Sequence, residues 1–150
     1  MKKLIRNSVF ETNSSSCHSI SIGESDVYDS VTPNEDGIIR LDPMEFGWEQ
    51  ERYNDPYSKM AYLWVYIRDW CDRVEDEFME TFQRVVCSHT GASSVIMVTD
   101  ENAPEWCRNG YIDHQSVESN DYHHLFYDDK LLKQFLFDSD SWLETDNDNH

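Results

Sequence analysis

The stretch DPYSKMAYLWVYIRDWCDRVEDEFMETFQRVV, residues 55–86, decides the architecture. Asp55 is a good N-cap and Pro56 suits the first helical position. Beyond them Met60, Leu63, Trp64, Ile67, Trp70, Cys71, Val74, Phe78, Phe82, Val85 and Val86 recur three or four residues apart. At about 100° per residue this spacing gathers them on one face. It predicts one long amphipathic helix over about 56–88, with Gly91 as its stop. Asp69, Asp72, Asp76 and Glu80 fall on the opposite face as an acidic rail, which serves either as a solvated surface or as a partner-binding one.

Working outward, Leu131, Leu132, Phe135 and Leu136 predict a shorter C-terminal helix at about 129–137, capped by Asp128 or Asp129. Residues 17–22 alternate as a strand, with Ile20 and Ile22 on one face and Ser19 and Ser21 on the other. Ile38, Ile39 and Leu41 suit a second strand after Gly37, and residues 42–55 read as a loop around Phe46, Gly47 and Trp48. The apolar run Val95 to Val98 is expected to be the central strand, covered on both faces, and Ser141–Thr145 a terminal strand. The expected fold is α+β: a small mixed or antiparallel sheet packed against the long helix and the shorter C-terminal one. The length of 150 residues, without repeats or low-complexity linkers, fits a single domain.

Twelve basic against thirty acidic side chains give a net charge of −18. Three of the basic groups, Lys2, Lys3 and Arg6, lie in the first ten residues, so from residue 11 onward nine face thirty, or −21. Such a surface repels phosphates and anionic lipid, which excludes direct nucleic-acid or membrane binding as the expected activity. A basic protein surface is the natural partner. Five Trp, eight Tyr and seven Phe supply enough apolar area to fold despite the charge. No apolar run reaches the roughly 20 residues of a membrane span, and no signal-peptide stretch opens the chain, so a cytoplasmic protein is expected.

Chemistry-bearing residues concentrate in RNSVFETNSSSCHSISI, residues 6–22. Asn13 and the serines suit a turn whose N–H and hydroxyl groups either cap the chain locally or cradle an anion. Adjacent strand residues point to opposite faces, so Cys17 and His18 make a poor nucleophile–base pair. A better catalytic set joins Ser14, Ser15 or Ser16 with His18, Asp113 and His114 across the fold. Asp113, His114, Asp121, His123 and His124 are metal-ligand types, but their spacing matches no metal motif, and Cys17, Cys71, Cys87 and Cys107 form no CxxC pair. No metal and no cofactor is therefore expected.

Three blocks carry a resemblance: Ser8-Val9-Phe10-Glu11-Thr12-Asn13-Ser14-Ser15-Ser16 with His18-Ser19, Gly110 through Ser116, and Phe135-Leu136-Phe137 with Ser141 and Glu144 through Asn149. Together with a looser likeness in Glu45 through Glu49, the chain resembles an uncharacterised family of large bacteriophages and bacteria. The resemblance implies a phage-related origin and brings no assigned activity, cofactor or catalytic residue. With the charge, it leads to the expectation of an acidic accessory protein that occupies a basic site on a host protein, as a host take-over factor or anti-defence inhibitor, including the nucleic-acid-mimic form. The alternative is an enzyme or small-ligand binder, including a phosphate binder, built from the serine-rich loop and Asp113-His114. A purely structural alternative has these blocks bracing the two chain ends. Oligomeric state is left open.

Overall fold

The computed structural model describes residues 3–6, 16–47, 49–113, 117 and 121–147. Along these residues run β1 (Lys3–Arg6), β2 (Ser16–Ile22), β3 (Ile38–Leu41), β4 (Glu45–Phe46), β5 (Glu51–Tyr53), α1 (Pro56–Trp70), α2 (Glu75–Thr90), β6 (Ser94–Met97), β7 (Tyr111–Ile112), α3 (Asp129–Phe137) and β8 (Trp142–Asn147). A turn of 3-10 helix, His123–Tyr127, precedes α3. The fold is α+β, with an antiparallel sheet in the order β1-β2-β8-β5 and two parallel pairs, β3-β6 and β4-β7.

The expected single helix over 56–88 is instead two helices. Asp55 caps α1 by accepting the Ser58 N–H at 2.9 Å, and Gly91, at φ 82°, closes α2 by donating its N–H to the Cys87 carbonyl. Between them Cys71 to Val74 leave helical geometry, although no Gly or Pro marks the place. The reason is tertiary. α1 is buried on nearly every side, including Lys59, Tyr62 and Tyr66, whereas α2 has one apolar face, Phe78, Phe82, Val85 and Val86. Turning the chain lets that face pack on α3 and the core. Each such side chain contributes about 1.5–3 kcal/mol on burial. The backbone bonds interrupted near exposed Asp72 and Arg73 are worth about 0.5–1.5 kcal/mol each and are open to water. Burial therefore wins. Glu75, Asp76 and Glu77 then sit in the first turn of α2, where carboxylates suit the helix dipole.

The central, doubly covered strand is also not the one expected. Among the described residues β6 pairs only with β3, Val95 is buried and Ile96 is exposed. Central position belongs to β2, hydrogen-bonded to β1 on one edge and β8 on the other, with Ser19 and Ser21 buried as well as Ile20 and Ile22. Loop residues 42–55 contribute two short strands, β4 and β5. The terminal strand is confirmed as β8, and its pairing of Ser16 with Asn147 and His18 with Thr145 joins the two ends of the chain.

A buried polar knot fixes the start of β8. Asp138 accepts from Ser25 Oγ at 2.7 Å, Asp140 N at 2.9 Å and Asp26 N at 3.1 Å. Ser141 Oγ donates to the Gln134 carbonyl and accepts the Gly23 N–H. Lys59 Nζ donates to the Ser141 carbonyl at 3.1 Å. On the opposite side of α1, Gly110 has φ 91° and approaches so closely that a Cβ there would stand 2.7 Å from Val65 Cγ2. That approach seats β7 against α1 and beside β4.

Candidate functional site

Ser14, Ser15 and His114 lie outside the described residues, and Ser16 opens β2 opposite Asn147. His18 and Asp113 are both buried, and the negative charge of Asp113 is felt at the His18 ring. The fold thus draws these two distant residues toward one place behind β4: His18 Nε2 donates to the Gly47 carbonyl at 3.1 Å, and the Asp113 N–H donates to the Phe46 carbonyl at 2.9 Å. A carbonyl only accepts, so Nε2 carries the proton and Nδ1 accepts from the Tyr62 hydroxyl at 2.9 Å. Burial pushes the imidazole pKa down to about 4, against smaller upward pulls from the Gly47 carbonyl and Asp113. His18 is a neutral, fully enclosed ring with both nitrogens engaged. A general base must reach the proton it takes, and this one meets only protein.

His123 and Cys71 are also occupied by packing. His123 meets Phe78 edge-on, with ring centroids 4.8 Å apart, and Cys71 Sγ lies 3.6 Å from its Nε2. Burial raises the Cys71 thiol to about 11, which keeps it protonated. Among the described residues no three His, Cys, Asp or Glu side chains gather as metal ligands.

Asp69, Asp72, Asp76 and Glu80 are all exposed. They do not share one helix: Asp69 is in the last turn of α1, Asp72 is in the connecting turn, and Asp76 and Glu80 stand one turn apart on α2. Asp69 is paired with its neighbour Arg68 at 2.8 Å, and that guanidinium also donates to the carbonyls of Asn109 and Gly110. Asp72, Asp76 and Glu80 make no ion pair among the described residues. The acidic surface is real, but it bends with the chain at Cys71–Val74.

Two clefts among the described residues combine charged side chains with aromatic rings. A groove of about 760 Å³ between α2 and α3 gathers Arg84, Lys130 and Lys133, a local exception to the acidic surface. Two of its cations are already engaged: Arg84 pairs with Asp129 at 2.9 Å, and Lys133 Nζ lies 4.6 Å from the centre of the Tyr28 ring. A smaller cleft of about 280 Å³ opens where β4, β5, β7 and β8 meet. Its walls are three carboxylates, Glu45, Glu49 and Glu51, and three aromatic rings, Tyr53, Trp106 and Tyr111. Gly47 and Thr145 complete it, the same residues that bond and pair with His18 from behind. The Thr145 hydroxyl donates to the Glu49 carbonyl at 2.6 Å and accepts the Glu51 N–H at 3.1 Å, so the backbone carrying the carboxylates is held. Burial first, then a hydrogen bond with the Glu51 side chain, and then the negative charge of Glu51, Glu49 and Asp55 raise the Tyr53 phenol far above its ordinary value.

Sequence reasoning missed this cleft. The signal was present as a period of two: residues 45, 47, 49, 51 and 53 all line it. With no apolar alternation to reinforce it, the pattern reads as a polar loop, and Trp106 and Tyr111 come from a distant part of the chain.

Comparison of the chain with protein-family models, with curated proteins and with solved structures found no match in any of the three.

Proposed function

We propose that this protein acts by binding a basic surface of another protein, as a phage-type accessory factor in the cytoplasm of a bacterial host. The partner is a host protein whose basic surface itself serves to hold nucleic acid, so that the acidic chain competes as a mimic of the phosphate backbone. The observation that supports this reading is the exposure of Asp69, Asp72, Asp76 and Glu80 on a chain of net charge −18, three of them without an ion-pair partner among the described residues. Such a field steers a cationic partner and repels nucleic acid and anionic lipid. No helix of the described residues is long and apolar enough to cross a membrane.

The test is to capture the partner on immobilised protein, identify it, and titrate the purified pair across salt concentrations. Screening shortens from about 10 Å at 0.1 M to about 3 Å at 1 M ionic strength. Affinity should fall steeply over that range, and duplex DNA should compete. Substituting Asp69→Asn, Asp72→Asn, Asp76→Asn and Glu80→Gln together should weaken binding by about ten-fold or more. An affinity indifferent to salt that survives all four substitutions would refute the proposal.

A further inference from the structure

Strand β5 carries the same chemistry on both of its faces. Successive strand residues point to opposite sides, so Arg52 faces away from Glu51 and Tyr53. On the Arg52 side, its guanidinium lies 4.2 Å from the centre of the Trp142 ring and pairs with Glu144 at 3.1 Å. An aromatic ring and a carboxylate there share one arginine. On the other side, Glu51 and Tyr53 open into the 280 Å³ cleft with Glu45, Glu49, Trp106 and Tyr111, and no Lys or Arg among the described residues lines it.

From this relationship we infer that the cleft formed by Glu45, Glu49, Glu51, Tyr53, Trp106 and Tyr111 is a receptor for an arginine side chain presented by a protein partner. The inference deepens the reading of a basic partner and rests on it for the source of the arginine. Ring faces attract a cation through their quadrupole, most strongly for Trp, and a planar guanidinium also stacks and accepts two parallel bonds from a carboxylate. Trp106 is 60% exposed and meets Tyr111 edge-to-face, with centroids 5.0 Å apart, which leaves ring surface at the mouth of the cleft. The Tyr53 phenol is raised first by burial and then by the Glu51 side chain that bonds it, with the charges of Glu51, Glu49 and Asp55 adding smaller pushes in the same direction. The volume lies just below the roughly 300 Å³ at which small-molecule sites begin, which suits one side chain rather than a folded ligand. Tyr, Trp and Arg are also the residue types that dominate binding energy in protein interfaces.

The experiment uses the intact chain, ¹⁵N-labelled, with four small probes: N-acetyl-arginine methylamide, its uncharged isostere N-acetyl-citrulline methylamide, N-acetyl-lysine methylamide and tetramethylammonium chloride. The arginine probe should shift the Trp106 indole and the Glu49, Glu51 and Tyr111 amides, saturating at a concentration at least ten-fold below that of citrulline. Trp106→Ala, a surface change, should abolish saturation while the rest of the spectrum stays in place, and Glu49→Gln with Glu51→Gln should do the same. Equal binding of citrulline, tighter binding of lysine or tetramethylammonium, or shifts spread over Asp72 and Asp76 that persist in Trp106→Ala would each overturn the inference. The cleft variants leave Asp69, Asp72, Asp76 and Glu80 intact. A failed cleft therefore leaves the salt-dependent partner test standing, and a failed partner test leaves the probe result readable.

Discussion

The Tyr62 hydroxyl of α1 donates to Nδ1 of His18 on β2 at 2.9 Å, across 44 residues of chain, and thereby fixes the histidine as its neutral Nε2–H tautomer. The consequence is a specific acid sensitivity. The folded-state pKa, about 4, lies below the ordinary 6.5, so between these values the unfolded chain binds more protons than the folded one. Stability from this group is fully present above pH 6.5 and is lost as pH falls toward 4. Urea unfolding at pH 7 and pH 4 should show the wild type losing on the order of 3 kcal/mol more than His18→Phe, after the shared loss from carboxylates is subtracted. Equal losses in the two proteins would contradict the enclosed neutral ring.

Lys59 behaves as the alkaline counterpart. It is fully buried in α1, and burial lowers its pKa to about 8, against upward pulls from Asp29, Asp55 and Asp138. Between about pH 8 and 10.5 the unfolded chain holds the extra proton, so this group's contribution rises as pH increases through that window. Tyr53 and Cys71, whose folded pKa values are raised, act in the opposite direction as pH rises. The comparison is therefore made against Lys59→Met. From pH 7.5 to 10 the wild type should gain about 1–3 kcal/mol relative to that variant, measured by chemical denaturation. A constant difference across the range would show that Lys59 titrates normally.

Gln83 of α2 acts as a strand neighbour for β6. Its amide nitrogen donates to the Val95 carbonyl at 2.7 Å and its amide oxygen accepts the Val95 N–H at 2.8 Å. Because β6 pairs with β3 only among the described residues, this one side chain satisfies backbone groups on the other edge. Gln83→Leu keeps the bulk and removes both bonds, and should cost about 1–3 kcal/mol. Hydrogen exchange at the Val95 amide should accelerate correspondingly, while the amides of β2 remain protected. Unchanged protection at Val95 would mean that the bond pair contributes nothing.

Much of the frame was legible before the fold was known. Asp55-Pro56 marked the start of α1, Gly91 the end of α2 and Asp128 or Asp129 the cap of α3, of which the structure takes Asp128, because caps are local chemistry that acts within three or four residues. The break at Cys71–Val74 was not legible from periodicity, since Ile67, Cys71, Val74 and Phe78 keep helical phase straight through it. The Glu75-Asp76-Glu77 triplet following Arg68 was the local trace of a helix end and a new beginning. Likewise β6 looked central because it is continuously apolar, whereas centrality depends on which strands pair, and that is settled by contacts far apart in sequence.

The sequence by itself determined the α+β class, the start of α1, the end of α2, the strands β2 and β8 and the strongly acidic charge, all of which follow from short-range propensity and from counting charges. Tertiary structure alone decided that His18 is enclosed and neutral, that Lys59 is buried, and that Glu45, Glu49 and Glu51 meet Trp106 and Tyr111 around one cleft. The physical reason is that solvation and proximity are properties of assembled surfaces. A histidine, a lysine or a row of glutamates has its ordinary chemistry until the rest of the chain removes the water or brings the opposite wall.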